Sequence, residues 1–253
     1  MRITLLGTGT STGVPQIGCS CAVCTSSDVR DKRLRCSALV ESADTRLLID
    51  CGPDFRQQML SRPFAKIDAV LITHEHYDHV GGLDDLRPFC QFGDIPVYAL
   101  ERTAAQLRNT LPYCFAVHKY PGVPRIDLHE LAPMQPLVIG DLHITPLQVM
   151  HGRLPILGFR INNVAYVTDM TEMAASQAAL LDGVDVLVVN GLREKPHPTH
   201  QSIGQAAAFA RQVRAGATYI IHMSHHAGKH ADIEATLPAD IHLAYDNLII
   251  DCP

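Results

Sequence analysis

The chain has 253 residues, 47% hydrophobic and 19% charged, with a net charge of −5 and a pI near 6.2, which excludes a globally basic nucleic-acid binder. No apolar run approaches the ~20 residues that cross a bilayer, and "MRITLLGTGT" lacks the apolar region and cleavage site of a secretory signal, so a cytoplasmic protein with no membrane partner is expected. Eight cysteines are too sparse for a disulfide scaffold, and together with 14 histidines they lean toward a metalloprotein.

The first β-rich run, "RITLLG", leads into a glycine-rich loop that carries Cys19, Cys21 and Cys24 in a C-x-C-x2-C pattern. Three thiolates this close suit one soft or borderline cation. A zinc tetrahedron needs a fourth ligand, for which His225 and His226 in "IIHMSHH" are candidates, and His225 is favoured. Reduced buried cysteines or a redox cluster are the plainer readings. The loop "STGVPQIG" lacks P-loop spacing; its backbone N–H groups can approach a phosphate, but its simpler role is to carry the cysteines. Arg33 and Arg35 read as solvated surface charge rather than phosphate ligands.

Further strands are predicted at "SALVES", "RLLIDCG" and "DAVLIT", with a helical stretch at 53–61. Directly behind "DAVLIT" come His74, His76, Asp78 and His79 in "THEHYDH". Imidazoles and a carboxylate at that density exceed what one tetrahedral ion with an open position requires. Two ions fit better, with His74 and His76 serving one, and Asp78 and His79 its neighbour about 3.5–4 Å away.

Helices are then predicted at 82–91, 101–110, 172–182 and 201–215, and strands at "IPVYAL", "LHITPLQV", "LGFRI", "VAYVTD", "DVLVVN", "ATYIIH" and "IHLAYD". Residues 111–136, rich in proline, read as the least regular part, a flap or a partner surface. Strands interleaved with helices indicate an α/β sandwich, and no boundary divides residues 1–253, so a single domain is expected. His151, Asp169 and His222 each follow a strand, as His74 does, so chain reversals can gather all four at one sheet edge. Asp68, Asp84, Asp85, His118, His129, His143 and His242 have no such support and read as structural or solvent-facing.

"THEHYDH", with His151, Asp169 and His222 following in order, resembles the signature of the metallo-β-lactamase superfamily over essentially the whole chain. The resemblance implies a four-layer αββα sandwich. It also implies His74, His76 and His151 on one metal, Asp78, His79 and His222 on a second, and Asp169 bridging both. Two such cations lower the pKa of a shared water toward about 7, which makes the reaction class hydrolysis.

The segments "LLGTGTSTGVPQIGCSCAVC", "RLRCSALVE" and "LLIDCGPDFRQQ" are similar to the phosphoribosyl 1,2-cyclic phosphate phosphodiesterase branch of the superfamily. That branch holds a structural zinc on three cysteines and a histidine three residues beyond the last active-site histidine, an offset that His222 and His225 match. It implies a phosphodiesterase with two catalytic divalent ions, zinc or manganese, one structural zinc, and a small cyclic ribose phosphate as substrate. Asp78 is expected to be catalytic, and His200 in "HPTHQS" matches the histidine that assists proton transfer to the leaving group. The plainer role for His200 is a helix N-terminal residue beside Thr199, and His197 can replace it if the alignment slips. Two other readings stay open: an RNA phosphodiesterase resembling the tRNA 3′-end endonuclease, and a catalytically silent metal-binding member. No insertion resembles the endonuclease's tRNA-gripping arm, so nucleic acid is not the expected partner. The oligomeric state is left open, a homodimer included.

Overall fold

Apolar runs bounded by turn residues fold into two seven-stranded mixed sheets in the computed structural model, which describes residues 1–252. Strands β1 (Arg2–Gly7), β2 (Ser37–Glu41), β3 (Arg46–Ile49), β4 (Ala69–Leu71), β5 (Ile95–Leu100), β6 (Ile126–Leu131) and β14 (Leu248–Asp251) form one sheet, in the order β14-β1-β2-β3-β4-β5-β6. The other contains β7 (Leu137–Ile139), β8 (Leu142–His151), β9 (Leu154–Ile161), β10 (Val164–Val167), β11 (Val186–Asn190), β12 (Ala217–Ile221) and β13 (Ile241–Leu243), in the order β13-β12-β11-β10-β9-β8-β7. Both sheets follow one plan: antiparallel from β14 to β3 and from β7 to β10, then parallel from β3 to β6 and from β10 to β13.

Alternation within a strand sends side chains to two different apolar layers. In β3, Leu47 and Ile49 enter the core between the sheets while Leu48 joins the layer behind them, so "RLLI" reads as a continuous apolar run. The inter-sheet core contains the fully buried Phe159 and the almost fully buried Tyr166, each contributing roughly 1.5–3 kcal/mol by burial. Outside the first sheet lie helices α1 (Phe55–Met59), α2 (Tyr77–Val80), α3 (Glu101–Thr110) and α4 (Pro112–Phe115). Outside the second lie α5 (Ala175–Ala178), α6 (Ile203–Gln212) and α7 (His230–Glu234), which completes the αββα sandwich. Helix α6 starts where a capping box closes it: the Ser202 side chain accepts from Gln205 N, and the Gln205 side chain accepts from Ser202 N. No helix among the described residues is long and apolar enough to cross a membrane.

Three expectations change. Residues 111–136 hold α4 and β6, and β6 pairs in parallel with β5 (Ile95↔Ile126 to Leu100↔Leu131). Its sequence "IDLHEL" puts polar side chains on an edge strand's open positions, which disguises it as a loop. The helix expected at 82–91 is a 3₁₀ segment, Leu83–Phe92, with Pro88 inside it, whose ring in an α-helix would clash with the carbonyl four residues earlier. The stretch at 172–182 shortens to α5 and one 3₁₀ turn, Ala179–Leu181.

Candidate active site

Five strand ends deliver the site: β3 leads to Asp50, β4 to His74, β8 ends at His151, β10 leads to Asp169 and β12 to His222. Ligand sites form at such carboxyl ends of parallel strands, where the chain turns away from the sheet. Asp50, Asp169 and His222 all have left-handed backbones, with φ of 58°, 57° and 58°. A non-glycine residue holds that conformation at a cost of about 1–3 kcal/mol, so the surrounding structure must impose it. Next to His74 the chain enters α2, which turns Asp78 and His79 inward. Gly52 permits the approach, because a Cβ there would meet the Asp78 carbonyl oxygen at 2.1 Å.

The side chains form two neighbouring sets. His74, His76 and His151 present ligating nitrogens within 4.8 Å of one another, with His74 Nε2 and His76 Nδ1 3.0 Å apart. Asp78, His79, Asp169 and His222 form the second set under the same limit. Asp169 faces both. Its Oδ1 lies 3.3 Å from His222 Nε2 and 3.5 Å from His79 Nε2, whereas Oδ2 lies 3.2 Å from His200 Nε2 and 3.9 Å from His74 Nε2. A carboxylate with one oxygen toward each set has the disposition of a bridging ligand.

The outward nitrogens of several rings are already bonded. His79 Nδ1 donates to Asp50 Oδ2 at 2.7 Å, and His151 Nδ1 donates to the Thr199 carbonyl at 2.8 Å. His74 Nδ1 lies 3.0 Å from Thr73 Oγ1, which in turn donates to Asp50 Oδ2 at 2.9 Å. These bonds fix ring orientation and leave Nε2 of all three pointing inward, as outer partners of metal-binding histidines do. Asp50 escaped the sequence reading. Its one signal was the strand-end position in "LLIDCG" that it shares with His74, Asp169 and His222.

Charge and burial support a cation here. His79 Nε2 and both ring nitrogens of His222 are buried without a hydrogen bond, a condition that needs a partner. Burial opposes ionisation of Asp169, yet His222, His79 and the His200 hydrogen bond outweigh it and hold the carboxyl well below the usual range. Asp78 is likewise lowered against its burial by His79 and His222. His74 is held well below the ordinary imidazole range by burial and by neighbouring His79, so its nitrogen stays free to ligate. Burial lowers His79, yet Asp169, Asp78 and Asp50 outweigh it and raise it well above that range, so the second set favours positive charge; imidazoles among ionised carboxylates fit borderline divalent cations.

Cys19, Cys21, Cys24 and His225 form a separate set, also within 4.8 Å. His225 Nδ1 lies 3.2 Å from Cys19 Sγ and 3.4 Å from Cys21 Sγ, while His226 is exposed. The thiols are free, and the Cys24 N–H together with His225 draws Cys21 down to about 6. Burial pushes Cys24 up to about 11. Three sulfurs and one imidazole fit tetrahedral zinc.

His200 sits at the mouth of the first set, burial lowering its pKa against the pull of Asp169. Arg33 departs from expectation: it is 5% exposed and donates to Thr8 Oγ1 and the Ala244 carbonyl, and burial brings its guanidinium down to about 10. It is a core residue that braces the loops beneath the cysteines. Arg35 is partly buried and occupied by Asp54 at 2.9 Å. The N–H groups of Gly9, Thr10, Gly13 and Val14 bond within the protein, consistent with the loop's role as a carrier of the cysteines.

Among known proteins, the chain is 49% identical over 255 aligned residues to an octanoyltransferase of Porphyromonas gingivalis, covering 99% of this chain and 52% of that protein. It spans about half the length of the curated relatives it matches. A crystal structure of a diphosphatase from the PhnP family superposes with a TM-score of 0.91 at 39% identity, covering 99% of this chain and 97% of that one. Zinc-bound PqqB from Methylobacterium extorquens superposes at 0.81 over 100% of both chains, and its 22% identity speaks to the fold alone. Residues 45–223 match the beta-lactamase superfamily domain, a span that runs from β3 through His222 and so takes in all seven residues of the two histidine–aspartate sets; the chain belongs to that superfamily.

Proposed function

We propose that the chain is a metal-dependent hydrolase that cleaves small phosphodiesters, cyclic ribose phosphates being the favoured class. The observation that carries this reading is Asp169, whose two oxygens face two complete ligand sets. His74, His76 and His151 would hold one divalent ion, zinc or manganese, Asp78, His79 and His222 the other, and Asp169 both. When bound, such ions supply an activated water at neutral pH and offset charge on the phosphoryl oxygens. Asp78, kept ionised, orients the attacking water by accepting its hydrogen bond. Protonated His200 would give its Nε2 proton to the departing alkoxide and return to the neutral imidazole. The cysteine set with His225 would hold a structural zinc.

Phosphorus chemistry is favoured by the 39% identity to a protein described as a diphosphatase. The net charge of −5 argues against a large polyanion such as precursor tRNA. The octanoyltransferase relative favours acyl transfer as a second reading, but that name covers a protein of which this chain matches 52%. The test is to load the purified protein with zinc or manganese and offer cyclic ribose phosphates, linear diesters, precursor tRNA and an octanoyl thioester. Turnover of the small diesters is expected, and His76→Ala or Asp78→Ala should abolish it without unfolding the protein. Near-normal turnover by either metal-replete variant would remove the dinuclear mechanism, and turnover of the thioester alone would favour the acyl reading. His200→Ala should cost about 10²–10⁴-fold on poor leaving groups and far less on a nitrophenolate.

A further inference from the structure

We infer that Glu75 is a positioning residue: clamped to the first turn of α3, it holds the loop that presents His76 to the first metal ion. The inference rests on the reading of His74, His76 and His151 as one ion's ligands. His74 and His151 each have a ring nitrogen engaged by the protein behind them. His76 does not. Among the described residues the one hydrogen-bond neighbour of its ring is His74 Nε2, 3.0 Å from Nδ1, and the residue is exposed. With nothing behind the imidazole to fix it, its placement falls to the backbone, which lies outside regular structure from Ile72 to His76, between β4 and α2.

Glu75, between the two ligands, sends its carboxylate to α3. Arg102 Nε donates to Oε1 at 2.6 Å and Thr103 Oγ1 donates to Oε2 at 2.9 Å, so both oxygens are held. The helix is a firm anchor, because it continues β5 without a break and buries Thr103, Ala104 and Leu107. β5 in turn pairs in parallel with β4, and beyond that pairing Ile72 N bonds the Tyr98 carbonyl at 2.8 Å. The clamp therefore closes a ring between two neighbouring strand ends: β4 to His74, Glu75 across to α3, and α3 back through β5. A negative charge at a helix N-terminus is also favourable in itself. Without the clamp, residues 75 and 76 regain backbone freedom that ion binding must then remove, which weakens the ion's hold.

Positioning and simple charge predict opposite signs. Removing Arg102 takes a cation away from the site, which on charge alone strengthens zinc binding, whereas losing the clamp weakens it. Stepwise zinc affinities are measured by competition with a chromophoric chelator on wild type, His76→Ala, Arg102→Met and the double variant Arg102→Met/Thr103→Val. His76→Ala marks the step that belongs to the first set. The double variant cuts both anchors but keeps the Glu75 charge; it should weaken that same step about 10–100-fold, the scale for outer partners of metal ligands, and leave the other steps unchanged. Thr103 is buried, so the melting temperature of the metal-free double variant is recorded beside its affinities. If it melts early, Arg102→Met decides the sign alone: that side chain is 62% exposed, so the fold survives its loss, and the first-set step should weaken about threefold. A first-set affinity equal to or tighter than wild type in Arg102→Met, or equal losses at every step in the double variant, overturns the proposal. If His76→Ala leaves every step unchanged, the ligand reading itself fails, and the clamp fails with it.

Discussion

Asp50 shows how much of the site depends on a residue that touches no reacting atom. It is fully buried and raised in pKa by that burial, and its carboxylate oxygens are divided between the His79 ring and the Thr73 backbone and hydroxyl. Asp50→Asn keeps the shape but removes the charge that orients and polarises His79. Metal affinity of the second set should drop about 10–100-fold, measured by competition with a chromophoric chelator; an affinity within twofold of wild type would show His79 to be oriented by packing alone. The seven residues of the two histidine–aspartate sets were legible in the sequence because several titratable side chains crowd one loop and the rest follow strands. Asp50 and Thr199 were not: a strand-end position is the one signal of Asp50, and a backbone carbonyl carries none. Arg33 was misread for a related reason: its partners are Thr8, Ala244 and His230, and only folding brings them together.

The turn from His222 to His225 joins the two kinds of centre. Met223 bridges to the first loop through Met223 N to the Thr8 carbonyl and Thr10 N to the Met223 carbonyl, both 3.0 Å. Ser224 N bonds the Leu192 carbonyl, at the base of the loop that carries His200. Three Cα steps span at most about 11 Å, so an ion on His225 must lie near one on His222. Cys21→Ser weakens a soft ligand without adding bulk. It should lower the melting temperature, release one zinc and weaken metal binding at His222, although Cys21 belongs to the other set. A Cys21→Ser protein with full metal content, melting temperature and diesterase activity would return the cysteines to an ordinary buried role. Strands such as β3 and β11 were readable because burial on both faces makes them continuous apolar runs. The missed strands β6, β7 and β14 are all sheet edges: β6 carries polar side chains, and β7 and β14 are too short to show a period.

Taken whole, the molecule repeats one strand plan in two sheets and draws its candidate site from both, His74 from the first and His151, Asp169 and His222 from the second. The αββα class was legible from the alternation of elements together with the histidine signature; the matching strand orders were not, because register and crossover are set by contacts distant in sequence. This construction makes metal content and reactivity a single question. The most direct measurement is a titration of the metal-free protein with zinc or manganese while hydrolysis of a small cyclic phosphodiester is followed. Activity should rise to a plateau only when about three ions are bound per chain, two in the histidine–aspartate sets and one in the cysteine set. Full diesterase activity with one ion or none, or no hydrolysis at saturation, would contradict a dinuclear phosphodiesterase.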